Sequence, residues 1–126
     1  MPVSLGQNGG DNYANTGKGY VLAMGSDGRW GGVCHHDFDI NDAHVICRML
    51  GYSSARTVID TNTYGTYRYG NRFVLDNLEC DGSESSVFDC PHRREIEDCI
   101  STDIAAVQCE SKSFLYNPLP SSIKES

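Results

Sequence analysis

Between Asn41 and Leu50 the apolar residues Ala43, Ile46, Cys47 and Leu50 recur at i, i+3, i+4 and i+7, and Val45 and Met49 widen the same stripe. That period predicts an amphipathic helix with one buried face. His44 and Arg48 fall on its wet face. Asp39 or Asn41 caps the first turn, Asp42 complements the dipole there, and Gly51 stands where a left-handed C′ residue ends a helix.

Elsewhere the apolar runs are short and broken by turn residues, which predicts strands. "VSL" precedes the Gly/Asn-rich loop "GQNGGDNYANTGKG", after which "YVLAM" reads as a strand on the strength of Tyr20, Val21 and Leu22. "GSDG", residues 25 to 28, supplies turn chemistry, and "RWGGVC" returns as the second arm of a hairpin with Trp30 and Val33 as core candidates. Residues 53 to 72 read as a long polar loop. "FVLDNLEC" is a strand candidate, "DGSES" a turn, "SVFDC" a single helical turn, and "DIAAVQC" a last strand that carries Cys109 into the core. The segment 111–126 holds two prolines and several serines and is expected to be a linker or tail, leaving 1–110 as the domain.

The chain of 126 residues is one domain by length, and 39% hydrophobic residues with 13 glycines suit a loop-rich globular fold better than a disordered chain. No apolar run approaches the roughly 20 residues of a spanning helix, so no membrane insertion of this segment is expected. Ten Lys+Arg against 17 Asp+Glu give a formal charge of −7, which opposes binding to a nucleic-acid backbone. Six cysteines, none in a C-x-x-C pair, lack the close pairing of zinc modules and point to three disulfides in an oxidising compartment. With no leader after Met1, an extracellular reading makes this chain a piece of a longer secreted or membrane-anchored protein. There is no Asn-x-Ser/Thr sequon.

The run "GRWGGVC", "DFDINDAHVICRMLGY", "LDNLECDGSESSVFDCPH" and "AAVQC" resembles the scavenger receptor cysteine-rich domain, in its six-cysteine type, over roughly residues 3 to 110. The resemblance implies an α+β fold: a small disulfide-bonded domain in which a curved antiparallel sheet cradles one helix. It also implies the pairs Cys34 with Cys99, Cys47 with Cys109 and Cys80 with Cys90, out of the fifteen that six cysteines allow.

Members of that family commonly bind Ca²⁺ through two adjacent aspartates after the first of these cysteines and a glutamate in the "GxES" turn. Glu84 matches the glutamate, but His35 and His36 stand where the aspartates would, with Asp37 one place later. Neutral imidazole is a poor ligand for hard Ca²⁺. Three readings stay open. The histidines are solvated loop residues; or Asp37, Asp39 and Glu84, with Asp76 or Asn77, form a displaced oxygen-rich Ca²⁺ or Mg²⁺ site; or histidine and carboxylate select Zn²⁺, with His35 or His36 joining Asp37 and Glu84. Both rings converge only if the backbone bends after Cys34, because neighbours on a regular strand face opposite ways.

Catalysis finds little support, since pairing every cysteine leaves no thiol nucleophile and no G-x-S-x-G occurs. Tyr64, Tyr67, Arg68, Tyr69 and Arg72 form one candidate ligand-binding cluster, the alternative being that the tyrosines pack half-buried. Arg93 and Arg94 form another, the alternative being ion pairs with Glu95 and Glu97. The expectation is a non-enzymatic extracellular module that recognises protein or microbial and polyanionic surface ligands, assisted by a divalent cation. Its rival is an accessory module that positions a neighbouring domain or self-associates without metal or ligand.

Overall fold

A computed structural model describes residues 2–59, 63–65, 67–93, 96 and 98–110. Arg94 and the expected tail 111–126 lie outside the described residues. The strands are β1 (Val3–Gly6), β2 (Lys18–Met24), β3 (Trp30–Val33), β4 (Ala55–Ile59), β5 (Phe73–Leu75) and β6 (Ala106–Cys109), with one helix, α1 (Ile40–Met49), between β3 and β4.

β2 is the hub of the six-stranded sheet. β1 lies antiparallel along one edge, pairing Val3 with Ala23 and Gly6 with Tyr20. On the other edge β6 pairs with the first half of β2 and β3 with the second half, both antiparallel. β4 extends the sheet beyond β6, and β5 joins β3 in parallel, so the sheet is mixed at that end.

β2 reads as an unbroken apolar run because both of its faces are covered. Val21 and Ala23 face α1, where they share a core with Val33, Val45, Ile46, Leu75, Leu78 and Val107. Tyr20 and Leu22 face the other way, into a second cluster with Tyr67, Ile104 and Ala106 and the half-buried Trp30, Tyr69 and Phe73.

The helix begins and ends as the sequence predicts, but one of its acidic residues has a different role. Asp39 is the N-cap, its carboxylate accepting from the N–H groups of Asn41 and Asp42, and Asp42 reciprocates by accepting from Asp39 N–H at 2.8 Å. Gly51, with φ of 94°, ends it: Gly51 N–H donates to Arg48 and Tyr52 N–H to Cys47, the paired bonds of a Schellman cap. Asp42 is fully buried and its other oxygen accepts from Cys80 N–H at 2.9 Å, so it is a tether between elements beyond its place in the dipole.

Two further expectations are corrected. Residues 53 to 72 are not a continuous loop, because β4 runs through them and pairs with β6. His44 is not solely on a wet face: its Nδ1 lies 3.0 Å from Ala55 N–H, which donates to it at the start of β4. Arg48 is exposed, yet it donates to the carbonyls of Gly82 and Glu84, tying α1 to the turn after Cys80. The three disulfides are Cys34–Cys99, Cys47–Cys109 and Cys80–Cys90, the pairing implied by the resemblance.

Candidate functional site

β3 ends at Val33, and the chain bends as convergence of the histidines requires. Phe38 N–H donates back to His35 carbonyl at 2.9 Å, and Asp37 takes a left-handed conformation with φ of 60°. The rings of His35 and His36 consequently lie on one side, with centroids 5.3 Å apart.

The Cys34–Cys99 bridge and the backbone pairing of Cys34 with Ile104 bring residues 99 to 104 beside them. His35 Nε2 stands 3.5 Å from Asp103 Oδ1. His36 Nδ1 stands 3.4 Å from Asp76 Oδ1 and against the disulfide, 3.4 Å from Cys34 Sγ and 3.8 Å from Cys99 Sγ. Asp76 is wholly buried; its Oδ1 accepts from Asn77 N–H at 2.9 Å, and its Oδ2 has no hydrogen-bond partner. Asp103 had no signal of its own in the sequence, although the Cys34 to Cys99 pairing places its segment next to the histidines.

The expected oxygen donors have other partners. Asp37 Oδ2 accepts from Asn77 Nδ2 at 2.6 Å, Asp39 caps α1, and Glu84 accepts from Asp81 N–H and Gly82 N–H, closing the "DGSE" turn. Among the described residues, three groups of three or more side chains offer ligand atoms within 4.8 Å of one another. One is His35, His36 and Asp103; the other two include disulfide sulfurs, with His36 and Asp76 or with Glu84. Neither Asp37 nor Asp39 belongs to any of them. Calcium takes six to eight oxygens, so an imidazole-rich donor set does not fit it.

The tyrosines and arginines of the second cluster are brought together, largely as packing. Tyr67 is buried, edge-on to Tyr20 and Tyr69, and its hydroxyl donates to Arg72 carbonyl; burial pushes the phenol's pKa up. Tyr64 is half-buried against the same cluster. Tyr69 hydroxyl donates to Asp11 at 2.5 Å, and Arg68, lying over the Tyr69 ring, pairs with the same carboxylate at 3.3 Å. Arg72 pairs with Asp27 at 2.8 Å and donates to Trp30 carbonyl. Arg93 is exposed, its backbone N–H donating to Asp76 carbonyl.

Beside β5, the last strand on its side of the sheet, opens a groove of about 430 Å³. Phe73, Val74, Leu75 and Phe88 form its apolar wall, while Asp27, Arg72 and His92 stand on its polar side. Sequence reasoning missed this groove because its walls come from three separated segments.

A sequence model of the scavenger receptor cysteine-rich domain matches residues 10–110. The chain is 39% identical over 87 residues to lysyl oxidase homolog 2 of Homo sapiens, a match covering 68% of this chain and 11% of that protein. It is 37% identical over 98 residues to a scavenger receptor cysteine-rich domain superfamily protein of Patiria pectinifera, covering 74% of this chain and 8% of that one. It thus spans about a tenth of the length of these relatives. In three dimensions it is similar to the SRCR domain of mouse MARCO, solved in a dimeric form, with 35% identity, a TM-score of 0.64, and coverage of 74% of this chain and 86% of that one. The third SRCR domain of murine neurotrypsin gives 26% identity and a TM-score of 0.67, covering 89% and 98%.

Proposed function

Because the chain belongs to the scavenger receptor cysteine-rich family, whose domains are non-catalytic interaction modules of extracellular proteins and ectodomains, we propose that it recognises an extracellular protein partner. The observation that carries this reading is the groove beside β5. Its apolar wall gives area for burial, its ion-paired rim gives direction, and a terminal strand presents backbone groups to an added segment. No described helix is long and apolar enough to cross a membrane.

A protein ligand is favoured over a polyanionic microbial surface. Arg29, Arg56, Arg68 and Arg72 are each paired with a carboxylate of this chain, and the formal charge is −7. Such pairs offer little free positive potential to a sulfated or phosphorylated polymer.

The test is binding of the chain to a panel of immobilised extracellular proteins, with sulfated dextran as the polyanion. Ser26 is exposed on the groove's rim, so Ser26→Trp fills the groove without touching the core. A protein that binds the wild type and is lost at least tenfold on Ser26→Trp supports the reading. Dextran binding that Ser26→Trp leaves intact sinks it.

A second reading rests on a separate observation, that the chain matches about a tenth of relatives such as lysyl oxidase homolog 2. Here the domain positions a neighbouring domain of its own protein. It predicts no partner in the panel and groove occupancy only within a longer chain.

A further inference from the structure

The recognition reading leaves the foot of β3 unused, and there two imidazoles, one accessible carboxylate and one buried carboxylate stand together. We propose that His35, His36 and Asp103 form a binding site for a divalent transition metal of the Zn²⁺ class, with Asp76 orienting His36 from behind.

The spacing suits such an ion. Around a four-coordinate metal with ligand bonds of about 2.0–2.1 Å, neighbouring ligand atoms lie about 3.3–3.4 Å apart. His35 Nε2 and Asp103 Oδ1 are 3.5 Å apart, long for a hydrogen bond and close to that edge. A ligand atom of His36 lies within 4.8 Å of the other two, so the three donors already share one small face. His35 is exposed, which leaves solvent access and a fourth position for water or a partner's donor.

Asp76 is the second, independent observation. A wholly buried carboxylate with one unpartnered oxygen is costly unless something answers its charge. Its Oδ1 faces His36 Nδ1 at 3.4 Å. A metal on the remaining nitrogen, Nε2, fixes the tautomer that places N–H toward Asp76 and strengthens that donor, the arrangement of a carboxylate behind a metal-bound histidine. The adjacent sulfurs of Cys34 and Cys99 are joined to each other and supply no thiolate. Two imidazoles with a single ligating carboxylate select a borderline ion over Ca²⁺ or Mg²⁺.

The experiment is calorimetric titration of the chelator-stripped chain with Zn²⁺, with Ca²⁺ and Mg²⁺ as comparison ions and Co²⁺ as a spectroscopic probe. One Zn²⁺ per chain is expected, with Ca²⁺ and Mg²⁺ unable to displace it and with the visible absorption of low-coordinate Co²⁺. His35→Ala, at an exposed position and checked for folding by its melt, lowers the affinity at least tenfold. Asp76→Asn lowers it roughly 10–100-fold, the usual cost of removing an outer-shell carboxylate, and Glu84→Gln leaves it unchanged. The proposal is overturned by the absence of saturable Zn²⁺ binding or by binding that survives His35→Ala. It is equally overturned if Glu84→Gln abolishes binding, or if Ca²⁺ displaces Zn²⁺.

Discussion

The carboxylate of Asp42, at the start of α1, accepts a hydrogen bond from Cys80 N–H at 2.9 Å across 38 positions of chain. Its other oxygen accepts from Asp39 N–H, so one buried side chain satisfies donors in the helix cap and in the segment leading to the Cys80–Cys90 loop. Asp42→Ala strands both donors. At about 1–3 kcal/mol for the buried Cys80 N–H, and less for the part-buried Asp39 N–H that water can reach, urea unfolding should show a loss of about 2 kcal/mol. Asp42→Asn keeps one acceptor and turns an NH₂ toward the other donor, and should fall between. A change below about 0.5 kcal/mol in the alanine variant would show that the tether is not structural.

The same residue gives the domain a pH signature of unusual sign. Burial raises the Asp42 pKa from 3.8 to about 6, against the backbone N–H groups that lower it. The folded state therefore holds this proton more tightly than the unfolded chain. Its stabilising contribution is fully present below about pH 4 and is lost as the pH rises through about 6. Between pH 7 and pH 5 the wild type should gain roughly 1 kcal/mol relative to Asp42→Asn, read as the difference in urea midpoints at each pH. A difference that is flat or reversed across that window would contradict the assignment.

Gly32 is a close-approach glycine. A Cβ built on it would sit 2.4 Å from Ile104 Cδ1 and 2.9 Å from the Tyr67 hydroxyl oxygen, inside the second hydrophobic cluster. Gly32→Ala should cost about 1–3 kcal/mol by overpacking and should disturb the near-UV signal of Tyr20 and Tyr67. An alanine variant with unchanged melting would mean that Ile104 rotates away freely.

The disulfides should differ in worth according to the loops they close. Cys47–Cys109 spans 62 positions and Cys80–Cys90 spans 10. In the loop-entropy account, replacing the first pair with alanine costs about 4 kcal/mol and the second about 3 kcal/mol. Equilibrium melts of the two double variants test the order. A larger loss from Cys80 and Cys90 would show that packing of the short loop matters more than its closure.

What the sequence disclosed depended on how local the cause was. The periodic stripe of Ala43, Ile46 and Cys47 announced α1, and Asp39, Asp42 and Gly51 marked its ends, because each signal lies within a turn of its partner. β4 escaped notice: Arg56 and Thr57 dilute its apolar content, and its place is set by pairing with β6 about 50 positions later. Asp42 looked like an ordinary first-turn acid because Cys80 N–H is remote in sequence. The histidines were visible as an oddity, whereas Asp103 and Asp76 acquire meaning only once the Cys34–Cys99 bridge and the β3–β5 pairing fold them inward. The tyrosine cluster was read as either surface or packing, and the T-shaped contacts of Tyr67 place its centre in the core.

β1 and β6 lie on opposite edges of β2 and run in the same direction, against it. The chain comes in beside Ala23 and goes out beside Lys18, so its two attachment points are displaced by about 17 Å along the strand axis. Tension applied between these two ends would load both rows of interstrand hydrogen bonds in shear, all at once, and could not unzip them singly. The Cys47–Cys109 bridge hands the outgoing load directly to α1. A domain of this design resists end-to-end pull as one stiff unit and holds the groove beside β5 in shape under load.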